Sequence, residues 1–202
     1  MEKNTFTTKK FVELALLVAI IIVLAFTPLG YIKTLGLEIT LIVVPVTVGA
    51  ITLGPAAGAV LGLVFGITSF IQCFGMSSFG AALFQINPFT TCIVCIVPRF
   101  LMGWCTGLIY QGLCRIRQAR KGAIVVASLM GPLLNTLFFM SALLLFFYQT
   151  PMIQDAVKSY GTTNVLAFAV AFVGINGLVE AVVCFVAGGA VSKALQVALK
   201  SS

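Results

Sequence analysis

VPVTVGAITLGPAAGAVLGLVFGITSF, residues 44–70, carries no charged side chain and is interrupted once, at Gly54-Pro55. About 20 apolar residues are enough for an α-helix to cross the hydrocarbon of a bilayer. Proline lacks an N–H, which costs nothing in the first turn of a helix, so the Gly-Pro pair reads as a tight turn between two helices rather than a defect in one. The reading is therefore a helix over 38–53 followed by another over 56–72. Gly54, Gly58, Gly62 and Gly66 recur at every fourth position, which stacks them along one helix face. Bare backbone on such a face lets another helix come close. Packing within the chain is the plainest use of it, and docking of a partner or approach of a ligand are the others.

The rest of the chain has the same character. Of 202 residues, 60% are hydrophobic and 8% charged, and the mean hydropathy is +1.16. A soluble core of this length has no room for so much apolar surface. In lipid every peptide group must find a partner within the protein, which leaves helices or a closed barrel, and long apolar runs favour helices. The expected fold is all-α, a single integral membrane bundle of six transmembrane helices over residues 1–202, at about 11–29, 38–53, 56–72, 88–114, 122–148 and 165–192.

The net charge of +7 invites nucleic acid or acidic lipid as a partner, but its distribution argues against that. Lys3, Lys9 and Lys10 precede the first apolar run, Arg115, Arg117, Arg120 and Lys121 share one short loop, and Lys193 and Lys200 lie near the end. Six helices with the amino terminus in the cytoplasm bring all three clusters, and both termini, to the cytoplasmic side, as the positive-inside rule requires. Phe11 to Phe26 has no convincing cleavage site after it and reads as a retained helix.

The six cysteines sit mostly in apolar surroundings, where a thiol behaves as a small hydrophobe. Cys92 and Cys95 make a CxxC, but the chain has no histidine and no second CxxC, so no metal site is expected. Packing is the plain reading of these thiols, with redox or metal chemistry as the alternative.

Polar residues inside the apolar runs are the informative ones. Arg99, in CIVPRF (95–100), lies about eleven residues into its helix, roughly 16 Å from the helix start. Pro98 removes one backbone donor, which frees the carbonyl of Val94 and is expected to bend the helix there. An arginine at such depth costs about 3 kcal/mol on insertion scales unless it faces a cavity or a partner. Glu180, with Asn176 one turn before it, and Asn135, after Pro132, are the other intramembrane polar groups. If they converge, Arg99 either pairs with Glu180 and is closed, or offers its guanidinium fork to a carboxylate ligand while Asn135 and Asn176 read hydroxyl or amide groups. The connection from Gln72 to Pro88 mixes amides, glycines and aromatics, including Gln72, Phe74 and Asn87, and suits a lid over a small-molecule pocket or, equally, an ordinary interfacial loop with aromatic anchors. No histidine, paired acid or nucleophile with a base is present in the membrane runs, so catalysis is not expected. An ion-coupled carrier would show more titratable groups.

These features together resemble the substrate-binding S components of energy-coupling factor (ECF) transporters, bacterial vitamin importers. The resemblance covers essentially the whole chain. It rests on the length, the six helices, the pattern P-V-x-V-G-A-I-x-L-G-P-x-x-G-A-x-L-G around the tight turn, and Ala15 and Ala19 as an AxxxA in the first helix. The stretch 74–104 is similar to the pantothenate branch. The resemblance implies capture of the vitamin from outside and delivery inward across the bacterial cytoplasmic membrane. It also implies docking through Ala15 and Ala19 onto a coupling membrane subunit, and two ATPase partners that use the ATP while this chain binds no cofactor. Another small carboxylated vitamin, or a permease or channel acting alone, are the competing expectations.

Overall fold

The computed structural model describes residues 8–27, 30–33, 38–116 and 122–159, with the isolated helical positions Val182 and Val186. The expected last helix, with Asn176 and Glu180, lies outside the described residues.

The first helix, α1, spans Thr8–Ala25. Next comes a short antiparallel ribbon, β1 (Tyr31–Lys33) and β2 (Glu38–Thr40), in the register Tyr31 with Thr40 and Lys33 with Glu38. Helix α2 covers Val43–Thr52 and α3 covers Pro55–Gln72. The expected helix from residue 38 thus begins five residues later, because the ribbon takes its first residues. Gly54, at φ 99°, occupies the left-handed region that only glycine enters freely, and Pro55 opens α3 at once.

Two further helices occupy stretches expected as connections. Helix α4 (Ser78–Ile86) starts on Ser77, whose hydroxyl accepts from the Gly80 N–H at 3.3 Å. Helix α7 (Pro151–Ser159) buries Ile153 and Val157, one turn apart, and exposes Asp155 and Lys158. Both are amphipathic caps rather than spans, which is why an apolar-run reading passes over them. Between them run the two longest of the described elements, α5 (Pro88–Arg115) and α6 (Ala123–Phe147).

Among the described residues, α3, α5 and α6 are long and apolar enough to cross a membrane. Helix α1 carries Lys9, Lys10 and Glu13 in its first two turns, and α2 has only ten residues. The three spans expose apolar stripes at helical spacing: Val60, Leu63, Ile67 and Ile71 on α3, Val97, Phe100, Trp104 and Leu108 on α5, and Leu133 and Leu137 on α6. Water penalises such continuous apolar faces and lipid does not.

The glycine stripe packs inside the chain. A Cβ on Gly58 would collide with the carbonyl of Gly103, one on Gly62 with the carbonyl of Arg99, and one on Gly66 would lie 2.8 Å from Ile96 Cα. Gly107 closes on Pro55 in the same way. As the α3 number rises the α5 number falls, so α3 and α5 are antiparallel and in backbone contact over three turns.

Among the described residues two apolar clusters fill the interior. Leu17 and Ile21 of α1, Val43, Val46 and Val48 of α2, Leu61 and Phe65 of α3, and Met102 of α5 form the first. Leu83 of α4, Val94 of α5, Met140, Leu143 and Phe147 of α6, and Ile153 and Val157 of α7 form the second. Arg99 lies where they meet.

Candidate functional site

Arg99 is 91% buried, with 9% of its surface exposed. Helix α5 continues through Pro98, and the acceptor that Pro98 frees does not stay empty. Arg99 Nη1 donates to the Val94 carbonyl at 2.8 Å. The proline and the arginine therefore form one local unit, in which the side chain replaces the missing backbone donor five residues back.

Two rings flank the charge. The Phe139 centroid, on α6, is 4.5 Å from the guanidinium carbon, and that of Phe65, on α3, is 5.6 Å away. Ring faces carry partial negative charge and attract a desolvated cation, by about 2 kcal/mol in dry surroundings. The guanidinium is thus held at Nη1 by a carbonyl and lies over two aromatic rings. Nε, by contrast, is buried and has no hydrogen-bond partner among the described residues. A planar fork with one edge fixed and a donor left over is suited to receiving an anion side-on, in the plane of the group. Among the described residues no carboxylate forms an ion pair with Arg99.

Asn135 is also buried, at 7% exposed, one turn before Phe139 on the same face of α6. The carbonyl of Arg99 rests against Gly62, so α3 sets the depth of the α5 backbone while α6 supplies the ring and the amide.

Residues 9–187 match the family model described as ECF transporter, substrate-specific component. The chain belongs to that family. It is a transport protein rather than an enzyme, and S components of ECF transporters are membrane proteins that recognise a small molecule and work with an ECF module. Over 174 residues it is 29% identical to the pantothenic acid transporter PanT of Lactococcus lactis subsp. cremoris (strain MG1363), a match covering 81% of this chain and 80% of that protein.

The remaining residues expected for the site of this S component separate by location. Gln72 is buried and its Nε2 donates to the Ala25 carbonyl at 2.5 Å, tying the end of α3 to the end of α1. Phe74 is 63% exposed and stacks with Phe84 (4.7 Å) and Phe70 (5.4 Å), fastening α4 to the end of α3. Asn87 caps α5: it is exposed and its Oδ1 accepts from the Thr90 N–H at 3.2 Å. The structure brings Arg99 and Asn135 into the interior and places these three at helix ends, and Asn176 and Glu180 lie outside the described residues. Ala15 and Ala19 are exposed on α1, opposite the buried line Leu17, Ile21 and Ala25.

Sequence reasoning passed over Phe65 and Phe139. A usable signal existed for the second, since it stands four residues after Asn135. Two more buried hydroxyls, Thr47 Oγ1 and Ser128 Oγ, have no hydrogen-bond partner among the described residues. Thr47 presses on Gly131 of α6.

Proposed function

We propose that this S component captures pantothenate on the outer side of the bacterial cytoplasmic membrane and passes it inward within an ECF importer. In this reading Arg99 receives the carboxylate of the vitamin. The observation that carries it is the state of the Arg99 guanidinium, buried, clamped by the Val94 carbonyl and two rings, and with Nε–H unused among the described residues. Pantothenate offers one carboxylate, two hydroxyls and an amide. In this reading Asn135, together with Asn176 and Glu180 of the expected last helix, supplies complementary donors and acceptors, and Gln72, Phe74 and Asn87 complete the set of residues proposed to contact the vitamin. The name of the Lactococcus relative supports the choice of vitamin. The rest of the proposal is a six-helix domain over the whole chain, both termini cytoplasmic, with a coupling membrane subunit and two ATPases as partners. The exposed Ala15 and Ala19 form the docking face.

Titration calorimetry on the purified protein, without ATP or partners, tests the site. Pantothenate binds, while other carboxylated vitamins bind at least about tenfold more weakly, since they lack its hydroxyl and amide pattern. Arg99→Ala in a monodisperse sample weakens binding by about a hundredfold or more, the usual cost of removing a buried charged hydrogen-bonding partner. Unchanged affinity would overturn the anchor. Docking is tested separately: with Ala15→Leu and Ala19→Leu together, binding is retained and uptake by the assembled transporter is lost, whereas normal uptake removes α1 as the docking face.

A further inference from the structure

The sequence pairs Cys95 with Cys92 in a CxxC, but the fold pairs it with a different thiol. Cys73 Sγ lies 3.7 Å from Cys95 Sγ, and the two residues are 4% and 6% exposed. Both side chains are thiols. We propose that Cys73 and Cys95 are a modification site, a dithiol that a peroxide converts to a disulfide linking the end of α3 to α5 one turn before Arg99.

The geometry asks for little movement. The sulfurs must close from 3.7 Å to about 2.05 Å. Cys95 is fixed inside α5, but Cys73 is the C-cap of α3, where the chain leaves the helix. Two residues later Gly75, at φ 124°, has nothing within 4 Å of where a Cβ would stand, so that corner has space to shift. A Cβ on Gly80 would lie 2.7 Å from Cys73 Sγ, so α4 sits directly on the pair and shields it from bulky reagents. A peroxide is small enough to enter. One thiolate attacks the O–O bond, giving a sulfenic acid and one water, and the second thiol then displaces its hydroxyl as a second water, leaving the disulfide. Two thiols lose two hydrogens and one hydrogen peroxide becomes two waters. The inference does not depend on which vitamin is bound.

The test is hydrogen peroxide treatment of the purified full-length protein, followed by alkylation, digestion without reductant and mass mapping. The expected product is a Cys73–Cys95 linked peptide, formed equally in Cys92→Ser and absent in Cys73→Ser. The oxidised protein also unfolds at a temperature higher by roughly 5 °C, because the link shortens the unfolded chain, and a phosphine reductant reverses the rise. A Cys92–Cys95 link, separate oxidation of Cys73 and Cys95 to sulfinic acids, or recovery of both as thiols while the other cysteines oxidise would each overturn the proposal. Cys73→Ser lies at a helix end, so the control survives if Cys95→Ser fails to fold.

Discussion

On its α3 side α5 presents bare backbone: Gly103 and Gly107 and the carbonyl of Arg99 meet Gly58, Pro55 and Gly62. On its α6 side the same helix presents a cation, which Phe139 covers and Val94 holds. In lipid, apolar surface alone gives helices no reason to associate, because the tails are equally apolar, so each face needs another source of attraction. The first face obtains it from van der Waals contact at a distance that side chains would forbid. The second obtains it from charge in dry surroundings and leaves the buried Nε–H without a partner among the described residues. A closed seam and an incomplete polar layer thus share one residue, Arg99, whose backbone belongs to the seam and whose side chain belongs to the layer. The seam specifies position, and in the proposed function the layer is where the vitamin has something to complete.

Breaking the seam has the larger effect. Gly62→Val drives a branched side chain into the Arg99 carbonyl, which neither helix backbone can avoid, and overpacking of this kind costs about 3 kcal/mol. Thermal unfolding of the purified variant is expected at a clearly lower temperature, with vitamin affinity falling as well, because Arg99 moves with its backbone. Leu63→Val, on the exposed side of α3, changes neither. A Gly62→Val protein with normal stability and affinity would show that the seam does not position the site.

Changing the layer shifts binding more than folding. Phe139→Leu keeps most of the apolar volume and removes the nearer ring face, so affinity is expected to fall about tenfold through the lost cation–π attraction. Phe65→Leu has the smaller effect, since its ring is 5.6 Å away against 4.5 Å. Calorimetry on the two variants side by side checks the order. The reverse order would mean that the ligand, rather than the arginine, is what these rings contact.

The seam was largely legible in the sequence. A four-residue glycine period has one geometrical meaning on a helix, and Gly54-Pro55 marks its start. Pro98-Arg99 was legible as well, because the loss of a backbone donor and the cost of a buried cation both follow from residue type, and Val94 follows from counting four residues back. The partners of Arg99 across helices were not. Which Phe of 17 faces the guanidinium depends on helix rotation, and an apolar run has little periodicity when one side meets lipid and the other meets protein. The same ambiguity hid Cys73, whose neighbour Cys95 is 22 positions away, behind the nearer Cys92. The caps α4 and α7 escaped for the opposite reason, being too short and too polar on one face to stand out beside true spans. Gln72, Phe74 and Asn87 were chosen for the chemistry of their side chains, and in the fold each spends that chemistry on a helix end.

Asn87 gives the finest test of where the polar layer stops. Its Oδ1 accepts from Thr90 N–H while its carbonyl accepts from Thr91 Oγ1 at 2.9 Å, so the next turn of α5 already uses its acceptors. An exposed N-cap of this kind is worth about 1 kcal/mol. Asn87→Ala should lower the unfolding temperature slightly, and Asn87→Ser, which caps equally well, should restore it. Neither should alter pantothenate affinity by more than about twofold, the noise left by surface changes of a few tenths of a kcal/mol. If Asn87→Ser restores stability while affinity stays reduced tenfold, the asparagine amide is read by the ligand, and the incomplete layer around Arg99 extends to the end of α5 instead of ending in the bundle interior.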